Sequence, residues 1–107
     1  MAVLELIRTD GARVQCDTIK QSITYLKRTV SFTGTEWLLL KVLYFELGHP
    51  IPRKRLMSCL PKEEHRENSR VLDMHISQIR AKLQKIKVAR IQSVYRVGYI
   101  LLPSYKK

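Results

Sequence analysis

Residues 70–83, RVLDMHISQIRAKL, constrain the fold more than any other stretch of the chain. Leu72, Ile76, Ile79, Leu83 and Ile86 recur at a 4-3-4-3 spacing, which puts them on one stripe of a helix turned toward a core. The other side holds Arg70, Met74, Ser77, Gln78, Ala81, Lys82 and Lys85, and its only charges are cations. Such a face suits a DNA major groove: Gln reads a base edge, Ser and Lys hold phosphates, and Ala permits close approach. A plain solvated helix face is the alternative. The hairpin pattern that follows, IQSVYRVGYILL over residues 91–102, tips the reading toward nucleic acid.

Charge agrees with that reading. The 107 residues carry a net charge of +11, and the excess is uneven. Residues 68–107 hold nine Lys or Arg against the single acid Asp73, a balance of +8. A one-sided basic block predicts a polyanionic partner, nucleic acid ahead of an acidic membrane. The length fits one domain, 1–107, and 45% hydrophobic residues mark it as globular. No apolar run is long enough to span a bilayer, and no signal-peptide pattern opens the chain, so a cytoplasmic location is expected. Cys16 and Cys59 are expected to be reduced, small core residues.

Along the chain, residues 3–8 and 12–16 read as strands flanking the turn signal Thr9-Asp10-Gly11. Two more strand candidates, 23–26 and 29–32, flank a turn at Lys27-Arg28, giving a small antiparallel sheet over 1–32. Thr33-Gly34-Thr35-Glu36 fits a capping box. The helix it opens, 34–47, is apolar almost all round and is expected to be the central core helix, with Gly48 as its stop. A short helix over 53–60 ends before Pro61. The polar segment 62–68 is a loop, and Asn68 or Ser69 caps the basic helix, which runs to Ile86. Residues 90–102 close the chain as a hairpin with Gly98 as its positive-φ residue. The expected fold is therefore α+β: an N-terminal antiparallel sheet, three helices over 33–86 and a C-terminal wing over 90–102, a winged helix-turn-helix.

Three blocks in order resemble the DNA-binding effector domain of OmpR/PhoB-type response regulators. VSFTGTEWLLL (30–40) is similar to that family's L-T-P-T-E-F-x-L-L, and IPRKRLM (51–57) to its V-S-R-E-E-L-L. Residues 70–83 with QSVYRVGYI (92–100) resemble R-x-V-D-V-H-I-x-x-L-R-x-K-L followed by x-T-V-R-G-x-G-Y. The resemblance implies that Ser77 and Gln78 face bases, that Arg70, His75 and Arg80 hold phosphates or the helix start, and that Ser93 contacts the DNA backbone. It implies that Gly98 is the wing's turn and that Tyr99 largely packs. It further implies two copies on a direct-repeat site and a contact with RNA polymerase through residues 58–68. The family's phosphoacceptor receiver domain is not found in these residues, which leaves two readings open: the effector half of a regulator whose receiver lies outside this chain, or a stand-alone regulator without phosphorylation control. Four departures stand out. Tyr95 takes the position of the wing's minor-groove Arg, with Arg96 one residue later as the expected probe. Gly34 replaces the usual Pro, Pro52 replaces a capping Ser, and the loop before the basic helix lacks a Trp.

The expected base-contacting residues are thus Ser77, Gln78 and Arg96, and the backbone-contacting ones Arg70, His75, Arg80, Lys82 and Ser93. For Arg80 the alternative is a structural pair with an acid, and for His75 a packed, hydrogen-bonded ring. Asp73, three residues after Arg70, is placed to orient it. Cys59, His65 and His75 lack zinc-site spacing, there is no phosphate-cradling Gly loop, and Glu63 and Glu64 lack acid-base company, so no metal, cofactor or enzyme activity is expected. The function expected is sequence-specific binding of double-stranded DNA by a transcription regulator. The alternative is a winged-helix protein-interaction module, which a large exposed apolar patch would favour.

Overall fold

The structure, a computed structural model, describes residues 3–7, 13–62 and 70–103. Four strands, β1 (Val3–Ile7), β2 (Arg13–Asp17), β3 (Ser22–Tyr25) and β4 (Arg28–Ser31), form an antiparallel sheet in sequence order. The turn signal Thr9-Asp10-Gly11 lies outside the described residues, as do Asn68, Ser69 and residues 63–67 of the loop before the basic helix. The second hairpin turns one residue earlier than its sequence suggests. Leu26 and Lys27 form the connection with φ of 52° and 68°, so Tyr25 pairs with Arg28 and Thr24 with Thr29. Two central residues of positive φ give a turn whose twist matches the strands it joins. This register opposes Ile23 to Val30 and leaves Leu26 outside; a one-residue slip would exchange the faces. The hydroxyls of Thr24 and Thr29 then meet across the pair at 2.8 Å.

Helix α1 (Gly34–Phe45) opens on the expected capping box. Glu36 N donates to Thr33 Oγ1 at 3.2 Å, and Thr33 N donates to Glu36 Oε1 at 3.0 Å. The helix ends at Phe45, two residues short of Leu47. Gly48, at φ +84°, turns the chain so that its N–H donates to Leu101 O at 3.0 Å. Nor is α1 buried all round. Trp37, Leu39, Leu40 and Leu43 are core, whereas Leu38, Tyr44 and Phe45 face out, Phe45 with 78% of its surface exposed. Cys16, a free thiol in the core, is pushed up to about 11 by burial.

Strand β5 (Ile51–Pro52) leads into α2 (Arg53–Met57), which stops before the expected Leu60; residues 58–60 continue as turns closed by Cys59 N to Leu56 O and Leu60 N to Met57 O. Pro52 supplies no side-chain cap. The Arg53 N–H is taken instead by Val97 O at 3.0 Å, in the turn between the last two strands. Helix α3 (Arg70–Ile86) buries the predicted stripe in full: Leu72, Ile76, Ile79, Leu83 and Ile86. Its C-terminal end is capped by Arg28 of β4, whose Nη1 donates to Lys85 O at 3.2 Å.

The closing hairpin, β6 (Ala89–Val94) and β7 (Gly98–Pro103), gains β5 as a third strand in the order β5-β7-β6. Gly98 explains how β5 can dock, and its role differs from the one expected. The positive φ of the turn belongs to Arg96, at 63°, while Gly98 is buried in the sheet opposite Pro52. A Cβ on Gly98 would lie 2.0 Å from Ile51 O and 2.9 Å from Arg53 N, so only glycine lets the wing approach this backbone. Gly98→Ala should therefore cost roughly 3 kcal/mol of stability in urea denaturation. A near-neutral result would mean that β5 is not seated on the wing as described.

Candidate nucleic-acid interface

Because α3 gives one stripe to the core, its opposite side must face solvent. Arg70, Met74, Ser77, Gln78, Ala81, Gln84 and Lys85 are all exposed there, with no acid among them. Both expected base-contacting residues of the helix, Ser77 and Gln78, lie in the middle of this face. Gln84 was not singled out from the sequence, although its position three residues after Ala81 and seven after Ser77 puts it on the same side.

Lys82 sits differently from its neighbours. With 28% of its side chain exposed, it turns to Glu36, placing Nζ 2.6 Å from Oε1, and lies 5.4 Å from the centroid of the Phe32 ring. Glu36 is only 1% exposed, so its carboxylate needs both this ammonium and the Thr33 amide. Lys82 thus ties the start of α1 to α3. His75 is half-buried on α3.

The other flank of α3 meets the wing. Asp73 Oδ1 accepts from Arg53 Nη1 at 2.8 Å and from the Tyr99 hydroxyl at 2.5 Å. One carboxylate oxygen therefore joins α2, α3 and β7. The Arg53 and Arg80 guanidiniums lie 5.8 and 5.5 Å from the Tyr99 ring centroid. Arg80 is also fixed to β6, its Nε donating to Ile91 O at 2.9 Å and its Nη2 to Ser93 Oγ at 3.1 Å. Two expected backbone contacts, Arg80 and Ser93, are thus adjacent and hold helix and wing in one surface. Sequence reasoning placed Arg70 beside Asp73 and treated Tyr99 mainly as packing. The links through Arg53 and Tyr99 span 20 and 26 positions and leave no trace in local spacing.

In the wing turn, closed by Val97 N donating to Val94 O at 2.9 Å, Tyr95, Arg96 and Val97 are exposed. The Arg96 guanidinium rests 5.2 Å from the Tyr95 ring centroid. No group of three or more His, Cys, Asp or Glu arranged to hold a metal occurs among the described residues. None of their helices is long and apolar enough to cross a membrane.

Residues 27–101 match the family model described as "Transcriptional regulatory protein, C terminal". The chain belongs to this family. Its fold is that of the OmpR/PhoB-type response-regulator DNA-binding domains, and the family is one of transcriptional regulators, not enzymes. The effector domain is 32% identical over 74 residues to the transcriptional regulatory protein BaeR of Escherichia coli O6:H1, an alignment covering 67% of this chain and 31% of BaeR. It therefore spans about a third of the curated relatives it matches. The DNA-binding domain of CpxR from E. coli aligns at a TM-score of 0.65 and 25% identity, covering 98% of this chain and all of that one. The Klebsiella pneumoniae RstA DNA-binding domain, solved in complex with its RstA box, aligns at 0.71 and 21% identity over 92% of this chain and 97% of that one.

The charges around Asp73 give a pH test. Its hydrogen bond with Arg53 holds the Asp73 carboxyl below its ordinary 3.8, against the opposing effect of burial. The native state thus favours the ionised form. The resulting stability is complete above the unfolded value and is lost as pH falls through 3.8 to the lowered folded value. Tyr99 runs the other way: burial, then Asp73, raises it above 10.0, so its contribution fades only as pH rises through that higher value. In urea denaturation the gap between wild type and Asp73→Asn should stay constant over neutral pH and close below 3.8. A gap unchanged in strong acid would remove the charge of Asp73 from this account.

Proposed function

We propose that this effector domain binds double-stranded DNA in a sequence-specific way, with α3 in the major groove and the wing along the adjacent minor groove. The observation that carries this is the acid-free exposed face of α3, continuous through Arg80 and Ser93 with the cationic edge of the wing. Ser77 and Gln78 contact base edges, and Arg96 probes the minor groove. Arg70, Arg80 and Ser93 hold phosphates. His75, half-buried, and Lys82, engaged by Glu36, stand at the margin of this set; a phosphate contact by Lys82 has to compete with its carboxylate partner. The complexes of RstA with its box and of AdeR with an intercistronic region support DNA as the ligand class.

In this reading the domain works in the cytoplasm of a bacterial cell as part of a two-component transcription regulator, coupled to a receiver domain. Two copies occupy a direct repeat, and residues 58–68, described as far as Lys62, meet RNA polymerase. One observation favours the protein-interaction reading as an additional role: Leu38, Tyr44, Phe45 and Leu47 are exposed, and the last three border an apolar cavity of about 190 Å³.

The deciding experiment is fluorescence anisotropy on pooled random-sequence duplexes at several salt concentrations, followed by sequencing of the retained DNA. A log K against log salt slope of several counterions and an enriched motif are expected; no binding at low salt would overturn the proposal. Gln78→Ala should relax sequence preference more than it lowers non-specific affinity, and equal losses on all sequences would remove Gln78 from base contact. Arg96→Ala should weaken binding by roughly 1–3 kcal/mol, whereas an unchanged affinity would make the wing purely structural.

A further inference from the structure

The wing tip carries an exposed aromatic ring. Tyr95 has 83% of its surface exposed at the turn between β6 and β7, the most exposed large hydrophobic residue of the described chain. Leaving such a ring in water forgoes its burial, which makes it a candidate contact. The next residue, Arg96, holds a left-handed backbone at φ 63°, a conformation that is unfavourable for a residue with a Cβ. Its guanidinium meets the Tyr95 ring at 5.2 Å. Ring and guanidinium are thus presented together as one cation–aromatic couple.

From the dimensions of this couple, and resting on the DNA-binding reading above, we infer that Tyr95 makes the wing select for a widened, deformable minor groove rather than a narrow one. With the van der Waals surfaces of both groups added to the 5.2 Å separation, the couple is roughly 9 Å across. The B-form minor groove is about 6 Å wide, and A-tracts are narrower still. A lone arginine enters such a groove; the couple, with its long dimension lying across the groove, does not. It requires a site where the groove opens at small cost, and pyrimidine–purine steps (TA, CA/TG) are the ones that unstack and bend most readily. Packed there, the ring buries its exposed surface against sugar edges while the guanidinium faces the thymine O2 and adenine N3 acceptors. Selectivity then arises at positions where the protein reads deformability rather than base-specific hydrogen bonds.

The test uses two duplexes built from the motif that the random-pool selection returns, identical under α3 and differing only under the wing, one with a TpA step and one with an A-tract. The wild-type domain should bind the TpA duplex five- to tenfold more tightly. Tyr95→Ala, which leaves a lone Arg96 and removes no core contact, should level or reverse that ratio, and Tyr95→Phe should keep it. A wild-type preference for the A-tract, or the same ratio in wild type and Tyr95→Ala, overturns the inference while leaving DNA binding intact. Absence of wild-type binding to any duplex overturns the DNA-binding reading itself, and this inference with it.

Discussion

A single oxygen, Asp73 Oδ1, fixes the geometry on which the proposed interface depends. In the proposed interface, a helix that inserts into one groove and a wing that lies in the next must keep a set distance and angle, yet the covalent chain joins them only through the end of α3 and a short connection. Asp73 closes the open side of that arrangement by accepting from Arg53 of α2 and Tyr99 of β7. Both ends of the Arg53–Asp73 pair are substantially exposed, so its Coulomb energy is screened and contributes about 1 kcal/mol at most. Its importance lies in placement. The same strand junction is held by three further constraints: the glycine at 98, the Arg53 N–H on Val97 O, and Arg80 spanning to Ile91 and Ser93.

Glu36 and Lys82 do the equivalent work on the opposite flank under different energetics. Here the acid is almost wholly buried, and removing its ammonium partner would strand a charge away from water, a loss of roughly 3–5 kcal/mol. The pair orders α1 against α3 and joins a helix cap to the basic helix. The chain therefore assigns its basic residues to distinct tasks. Lys82, Arg53 and Arg28 are used within the fold, Arg80 bridges fold and surface, and Lys85 and Arg96 are exposed. A net charge of +11 overstates what is presented on one face and understates how selectively it is placed.

What could be read in the sequence follows from the range of the interaction involved. The α3 stripe, the Thr33–Glu36 box and the order of elements rest on contacts within a few residues, and periodicity encodes them directly. The Leu26–Lys27 turn was displaced by one because its positive-φ residues carry none of the Asn or Gly chemistry that marks such turns. Gly98 was recognisable as a special position, but two physical reasons lead to the same residue type: a left-handed turn and a backbone approach too close for a Cβ. Only the position of Ile51 O distinguishes them. Lys82 looked like a member of the exposed face because helical spacing places it at the margin, and its partner 46 residues earlier draws it inward.

The wing turn shows why these distinctions bear on function. If Gly98 supplied the left-handed residue, Tyr95 and Arg96 would be an ordinary exposed pair on a pliable loop. With glycine committed to the β5 contact, the left-handed conformation falls on Arg96, and the strain is borne by a residue whose side chain faces the solvent. The constraint that seats β5 against β7 thus also bears on how the wing tip is displayed, and the packing of the domain is coupled to the shape of its exposed turn.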